Sequence, residues 1–325
     1  MKTHYSLPRR NLLLAALGLC VAGQTPAQTQ AKMIKVVVGS PPGALGDVVA
    51  RLIAEKIGEA LATPTIVDNK AGAAGLIAAD MVAKSAGDGA NVLVAADNVM
   101  TVNPFIYPKI PYNVQRDFAP IGILGKADLV LVANPAAGIR TMEDLVRLAK
   151  EKPDSITYSS GGVGHVTHLG VELIAARLGM KLRHVPYKGT SPALAAVISG
   201  ETNLMYLGAS GAVPQIKSGR VIALAASGPR ATETFVGVPT LREFHPDLDI
   251  TVWFGLFASS KTPADIVARL NRALNSALER PEIVKKFAQY GMTTEPGTPT
   301  ALTELIKQDS ARFGELVKAL NISVE

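Results

Sequence analysis

Strand-like apolar runs and helix-like amphipathic runs alternate along this 325-residue chain. That alternation constrains the fold more than any other feature, because helices joining successive strands force the strands to lie side by side. The β-branched run at 36–38 stops in a loop of small residues, SPPGALGD, and a helix is predicted over 46–60. Strand signals at 65–67 and 92–95 follow, with a helical stretch inside 73–86 between them. Strands at 121–124 and 129–133 come next, then a helix opening on a Thr141 capping box and running to Glu151. The pattern then returns, with strands at 156–158, 182–185, 203–206 and 221–225 and helices between them. One of those helices follows YKGTSP, with Ser191 as expected cap and Pro192 in its first turn. The tail reads as three helices, capped by Thr262, begun by Pro281, and opened by Thr298-Pro299.

The two βαβ runs, 34–95 and 156–225, predict two separate parallel sheets flanked by helices. The apolar run VWFGLF at 252–257 is expected to return to the first sheet. The predicted organisation is therefore one discontinuous domain, 32–124 plus 252–325, and a second domain, 125–251. A chain that crosses twice between two domains has its natural ligand site in the cleft.

Residues 1–27 read as a signal peptide. Lys2, Arg9 and Arg10 precede the short apolar run LLLAALGLCVAG, and small residues in TPA suit a cleavage site after Ala27. Arg9-Arg10-Asn11-Leu12-Leu13 loosely resembles a twin-arginine signal, but Pro8 weakens the match and general secretion is the expected route. Leu19 before Cys20 is a poor fit to a lipoprotein site. Since Cys20 is the only cysteine, the mature chain would carry neither disulfide nor thiol chemistry. The formal charge of +6 falls to +3 when Lys2, Arg9 and Arg10 leave with the signal. No Lys/Arg cluster remains to suggest nucleic acid, and a mildly basic protein suits a small anion. The expected location is the periplasm.

Two strand-to-helix loops carry candidate chemistry: SPPGALGD at 40–47 and SSGGVGHVTH at 159–168. Each puts backbone N–H groups at a helix start, where the helix dipole favours an anion. Either loop alone also suits a tight turn with a cap, and Asp47 reads as a helix-stabilising acid. Neither GxGxxG nor a P-loop occurs, so no nucleotide cofactor is implied. His165, His168 and Glu172 have metal-ligand spacing, but the expectation is a loop histidine and a packed one, with no metal. The stretch GASGA at 208–212 departs from the nucleophile elbow, so no catalytic residue is assigned. Lys188, in YKG after a strand, is either solvated or turned to the cleft. Trp253 and Phe254 are expected in the core.

With these residues in view, the chain resembles the periplasmic substrate-binding receptors of tripartite tricarboxylate transporters, the Bug (TctC-like) family. The matching stretches are PPGALGDVVAR, VDNKAGAAGLIAAD, NPFIYPKIPYNVQRDFAPIG, HVPYKGTSPAL and TVWFGLFASSKTPADIVARLN. The resemblance implies an α/β, two-lobed Venus-flytrap binding protein (type II-like), each lobe a sheet flanked by helices, without catalysis. It implies a small carboxylate held between the lobes and delivered to a membrane permease. Carried over by position, the first loop supplies Ser40, Pro42, Gly43, Ala44 and Leu45, and Asn98 stands beside it. The second supplies Ser160, Gly161, Gly164, His165 and Val166, with Lys188 and Leu207 completing the expected site.

Departures from the family pattern bear on specificity. Ser40 stands where an aromatic is frequent, Ala44 where a glycine is, His165 where a small hydroxyl is, and Leu207 where an aspartate is. Without that acid an ammonium would lack its counter-charge. The expected ligands are dicarboxylates, tricarboxylates or aromatic carboxylates such as terephthalate. Two alternatives stay open: a ligand-sensing partner of a membrane histidine kinase, and a secreted hydrolase on a similar scaffold. A DNA-binding regulator would need a helix-turn-helix where the signal peptide stands. The protein is expected to be a monomer.

Overall fold

The computed structural model describes Met1, residues 33–248, 250–320, 322 and 323. The signal-peptide, twin-arginine and Cys20 expectations fall outside the described residues. Residues 33–325 form one compact unit, built on two sheets.

The first sheet has six strands in the order β11-β4-β10-β3-β1-β2. These are β1 (Ile34–Val38), β2 (Thr65–Asn69), β3 (Asn91–Ala96), β4 (Phe118–Ala127), β10 (Val252–Ser259) and β11 (Met292–Thr294). The second has five in the order β7-β6-β8-β5-β9: β5 (Leu129–Ala133), β6 (Thr157–Ser160), β7 (Arg183–Pro186), β8 (Leu204–Gly208) and β9 (Ile222–Ser227). β1 is parallel to β2 and β3, and β6 to β7 and β8. The expectation of purely parallel sheets is corrected at the returning strands. β10 runs antiparallel between β3 and β4, β11 pairs antiparallel with β4, and β5 runs antiparallel between β8 and β9. β5 follows β4 directly, with no helix to reverse the chain, and so enters the second sheet in the opposite sense.

The period-2 alternation of β1 divides its side chains between two cores. Val36 and Val38 meet helices Leu45–Leu61 and Ala264–Leu278 on one face. Val37 meets helix Leu76–Ala83 on the other. In the second sheet Leu131 and Tyr206 face helices Met142–Glu151 and Val166–Leu178, while Val130 and Leu207 face helices Thr190–Ser199 and Ala209–Lys217.

Caps differ locally from the sequence reading. Helix Thr190–Ser199 is capped at Gly189 rather than Ser191. Helix Ala264–Leu278 has Pro263 at its N-cap, and the Thr262 hydroxyl has no partner among the described residues. Thr141 accepts the Asp144 N–H at 3.2 Å, but the Asp144 carboxylate takes the Arg140 N–H, so the box is half formed. The full box lies at Thr240 and Glu243. Helices Asp97–Thr101, Asn103–Ile106 and Val114–Asp117 and strand β11 were not expected from sequence, being too short for a periodic signal.

Helix Pro299–Ala319 belongs to two cores. Leu302 and Ile306 pack beneath the first sheet. Phe313, Leu316 and Val317 join Val102, Ile106, Tyr158, Leu169 and Leu173 in a cluster centred on the second. Thr298 caps its start through the Ala301 N–H, with Pro299 in its first turn. Between the two apolar ends, Asp309 accepts from Trp253 Nε1 and from Arg312, each at 2.7 Å. Phe313 is buried in the shared cluster, so Phe313→Ala should cost about 3–5 kcal/mol in chemical denaturation. A loss below about 1 kcal/mol would mean that this helix does not join the two cores.

Candidate functional site

Parallel pairing of β1 with β3 brings the ends of both strands to one edge of the first sheet, and the antiparallel β10 places Phe254 opposite Ala96 at that edge. Sites in open α/β sheets form at such strand ends, because the loops leaving neighbouring strands diverge there. A cavity of about 270 Å³ opens at this point. Three polar side chains line it: Ser40 after β1, Asn98 after β3, and His165 from the loop after β6.

The first loop is clasped from outside the cavity. Asp47 accepts the Gly43 N–H at 2.9 Å, Asn69 Nδ2 at 2.8 Å and Arg51 Nε at 3.0 Å. The Arg51 hydrogen bond is the main cause that draws the Asp47 pKa down to about 2. Asp47 is thus the structural acid the sequence suggested, and Gly43, at φ +83°, supplies the turn that brings its N–H back. Helix Leu45–Leu61 begins at Ala44, which offers no side-chain acceptor. Its opening N–H groups are therefore left without a side-chain cap. Beside them the Ser40 hydroxyl is buried with no hydrogen-bond partner among the described residues. Gly46 keeps this corner open, since a Cβ there would lie 2.8 Å from Ser40 Oγ and 3.3 Å from Phe254.

The third wall is strained backbone. Ala73 and Ala74 both adopt left-handed conformations, φ +45° and +50°, each costing on the order of 1 kcal/mol or more. Asn103 Nδ2 holds the Ala74 carbonyl at 3.1 Å and Asn98 Nδ2 approaches it at 3.5 Å. Gly39 and Gly75 pack backbone to backbone, where a Cβ on Gly39 would come within 2.7 Å of the Gly75 Cα.

The second loop is closed on itself. Ser160 Oγ lies 2.6 Å from His184 Nε2 and accepts the Gly162 N–H at 3.1 Å. The Gly161 N–H goes to Thr167 Oγ1 at 2.8 Å, and the Gly164 N–H to His168 Nδ1 at 3.2 Å. His165 caps helix Val166–Leu178, its Nδ1 accepting from the Thr167 N–H at 3.3 Å and meeting Thr167 Oγ1 at 2.9 Å. These contacts assign Nδ1 as acceptor, so the neutral ring carries its proton on Nε2 as a donor.

Behind the loop His168 and His184 stack with ring centroids 4.0 Å apart, and Tyr158 stacks on His184 at 4.9 Å. The Tyr158 hydroxyl donates to Glu172, whose pKa burial raises. His168 Nε2 stands 4.0 Å from Glu172 Oε1. His165, His168 and Glu172 do not converge on a common point, since His165 turns Nδ1 to Thr167 and His168 turns Nδ1 to Gly164. Among the described residues no group of three or more His, Cys, Asp or Glu is placed to hold a metal.

The cavity therefore brings together Ser40, Asn98 and His165 from the expected set. Pro42 and Gly43 face solvent, and Ala44 and Leu45 flank the helix start without lining the cavity. Ser160 is buried beneath the second loop. Gly161, Gly164 and Val166 shape that loop without lining the cavity, and Gly164 lies so close that a Cβ would meet Ile106 at 2.4 Å. Lys188 is exposed and lies outside the cavity. Leu207 is corrected: it is fully buried in the core against helices Thr190–Ser199 and Ala209–Lys217, because strand alternation turns it away from the first sheet. Gly46, from the expected first loop, also lines the cavity, as do Ala74, Gly75 and the core residue Phe254. Ala74 and Gly75 lie in the Gly/Ala-rich stretch AGAAG, which reads in sequence as a turn cluster.

Burial holds the His168 pKa down near about 3 and that of His184 near about 4, against 6.5 for an ordinary imidazole. Unfolded chains take up these protons first as pH falls, so the stability contribution is intact above about 6.5 and is lost progressively towards pH 4 and below. The melting temperature should fall across pH 6.5 to 4, with a shallower slope in His168→Gln. An unchanged slope in that variant would exclude His168 as a source.

The sequence profile of the tripartite tricarboxylate transporter family receptor matches residues 49–322. A protein of the tcbD-tcbE intergenic region of Pseudomonas sp. (strain P51) is 33% identical over 315 residues, covering 95% of this chain and 94% of its own. BugT of Bordetella pertussis is 32% identical over 314 residues, covering 94% and 96%. Among solved structures, an R. palustris protein with adipate superposes with TM-score 0.77 at 26% identity, covering 90% of this chain and 98% of its own. MatC from Rhodopseudomonas palustris with bound malate superposes with TM-score 0.74 at 28% identity, covering 88% and 98%.

Proposed function

The chain belongs to the family of tripartite tricarboxylate transporter receptors, two-lobed periplasmic solute-binding proteins rather than enzymes, and on that premise we propose that it captures a small carboxylate in the cavity of Ser40, Asn98 and His165 and passes it to a membrane permease. The observation that carries this reading is the Ser40 hydroxyl, buried without a partner beside an uncapped helix start. A carboxylate oxygen placed there accepts from that hydroxyl and from opening N–H groups of helix Leu45–Leu61, where the helix dipole also favours negative charge. Asn98 Nδ2 and His165 Nε2–H supply further donors from the other two walls.

The rest of the lining is apolar, with Val38, Leu93, Val94, Ala95, Val99 and Phe254. No Lys, Arg, Asp or Glu is among the lining residues. A ligand with one carboxylate end and an apolar body fits this wall, as an aromatic carboxylate or a carboxylate with a methylene chain would. A tricarboxylate would carry two further charges into a wall with no cation, and an amino acid would bring an ammonium without a counter-charge. In this reading the lobes are the two sheets with their helices, following the expected boundaries 32–124 plus 252–325 and 125–251, and the ligand is released to the permease as they part.

Thermal melting against benzoate, terephthalate, adipate, citrate and aspartate tests the proposal. Ligand at about 100 times its dissociation constant should add roughly 2.7 kcal/mol to stability. Ser40→Ala should weaken that ligand by about tenfold, since a hydrogen bond to a charged group contributes about 1.5–3 kcal/mol. A response to citrate or aspartate alone would refute the apolar-bodied ligand while leaving the receptor reading intact. Silence of the whole panel would count against the carboxylate reading itself.

A further inference from the structure

One corner of the cavity joins side chains that are far apart in sequence. Antiparallel β10 sets Phe254 opposite Ala96, and parallel β1 sets Val38 opposite Val94. The two residues therefore flank the end of β3, which lies between their strands. Val38, Val94 and Phe254 share the core on the face covered by helix Leu45–Leu61. Leu93, Ala95 and Val99 belong to the core on the other face. Gly46, in the first turn of that helix, comes down on the pair of Val38 and Phe254.

The approach at Gly46 is close. A Cβ there would stand 2.8 Å from Ser40 Oγ, 3.3 Å from Phe254 Cε1 and 3.5 Å from Val38 Cγ2. Hydroxyl, ring and methyl thus surround one point at the helix start. Gly46 is helical and is not among the residues with positive φ. It serves space rather than backbone conformation, although glycine inside a helix costs stability relative to alanine. A carboxylate on Ser40 Oγ and the opening N–H groups of the helix has its next carbon beside the Phe254 ring and the Val38 methyl. The side chains at this corner offer that carbon no polar partner except the Ser40 hydroxyl, which the carboxylate engages. Asn98 and His165 approach from the other walls. A methylene or aromatic carbon gains apolar contact at this corner. A hydroxyl or ammonium on the same carbon is buried against ring and methyl.

We propose that Phe254 is the specificity-determining residue for the carbon bonded to the ligand's carboxylate, and that Gly46 is the positioning residue that lets the Phe254 ring and the Ser40 hydroxyl meet at the helix start. The inference rests on the carboxylate reading of this cavity and narrows it. Acids whose carboxylate is attached to a plain methylene or to a ring are preferred, and 2-hydroxy and 2-amino acids bind more weakly.

Isothermal titration of the protein with two pairs of acids tests this: phenylacetate against either enantiomer of mandelate, and hexanoate against 2-hydroxyhexanoate. Each pair differs by one hydroxyl on the carbon in question. The unsubstituted acid of at least one pair should bind tighter by about tenfold to a hundredfold, the range an apolar pocket achieves against an added hydroxyl. Phe254→Tyr attaches a hydroxyl to the ring atom next to Cε1 and should shrink that ratio, a change of preference that loss of packing alone would not produce. Gly46→Ala should weaken the preferred acid by about tenfold, through the displaced Ser40 hydroxyl, without lowering the melting temperature. In a Ser40→Ala background the same substitution should cost much less. Equal binding within both pairs, or a ratio that Phe254→Tyr leaves unmoved, overturns the assignment of Phe254 while the carboxylate reading stands. Undiminished binding by Gly46→Ala overturns the positioning role. Absence of binding by all four acids overturns the whole inference, and a melting response to adipate or terephthalate would then show that the carboxylate reading survives it.

Discussion

The structure turns on one buried carboxylate. Asp309 lies at the middle of helix Pro299–Ala319, accepting from the Trp253 indole on one oxygen and from Arg312 on the other. Burial raises its pKa, and Arg312 and the indole oppose that rise. Nearby Asp97 is pushed up to about 8 by burial and then by the charge of Asp309, which favours its protonated form at neutral pH. Around this point the same helix extends apolar side chains into both cores, so the two sheets form one compact unit. A buried ion pair contributes little to stability by itself, but the Trp253 indole bond ties this helix to β10 at the same carboxylate.

The two loops at the cavity play unequal parts. The first is clasped from behind by Asp47 and leaves its own polar groups unspent: an uncapped helix start and a lone hydroxyl at Ser40. The second spends its amides internally, on Thr167, Ser160 and His168, and rests on a stack of neutral rings. Under the proposed function the first loop meets the carboxylate, while the second contributes shape and a single ring donor. Left-handed alanines at 73 and 74 and the contact of Gly39 with Gly75 show that backbone strain and close approach are concentrated at the same place. Such strain persists only where the surrounding packing over-determines it.

Much of this was legible in the sequence. Continuous apolar runs located β1, β3, β5 and β10, and the return of 252–257 to the first sheet followed from its being the one apolar run left over. Proline and threonine marked the starts at Pro281 and Thr298 because their effect is local: a fixed φ and a side-chain oxygen within reach of the first turn. The small-residue loop after β1 was legible for the same reason, its residues and the following helix being neighbours in sequence. Ser191 and Thr262 misled because a hydroxyl near a helix start caps only if the chain enters at the right angle, and that angle is set by packing.

What the sequence by itself determined is therefore what local chemistry decides: which segments are strands or helices, where turns fall, and which loop offers backbone donors. Only the tertiary structure decided which of those pieces share a cavity. Leu207 and Phe254 show the difference. Both are apolar residues of strands, but the antiparallel β10 carries Phe254 to the open edge beside Ala96, while β8 turns Leu207 into the core. The direction of a strand and the face a side chain takes depend on partners far away in sequence, and no local pattern encodes them.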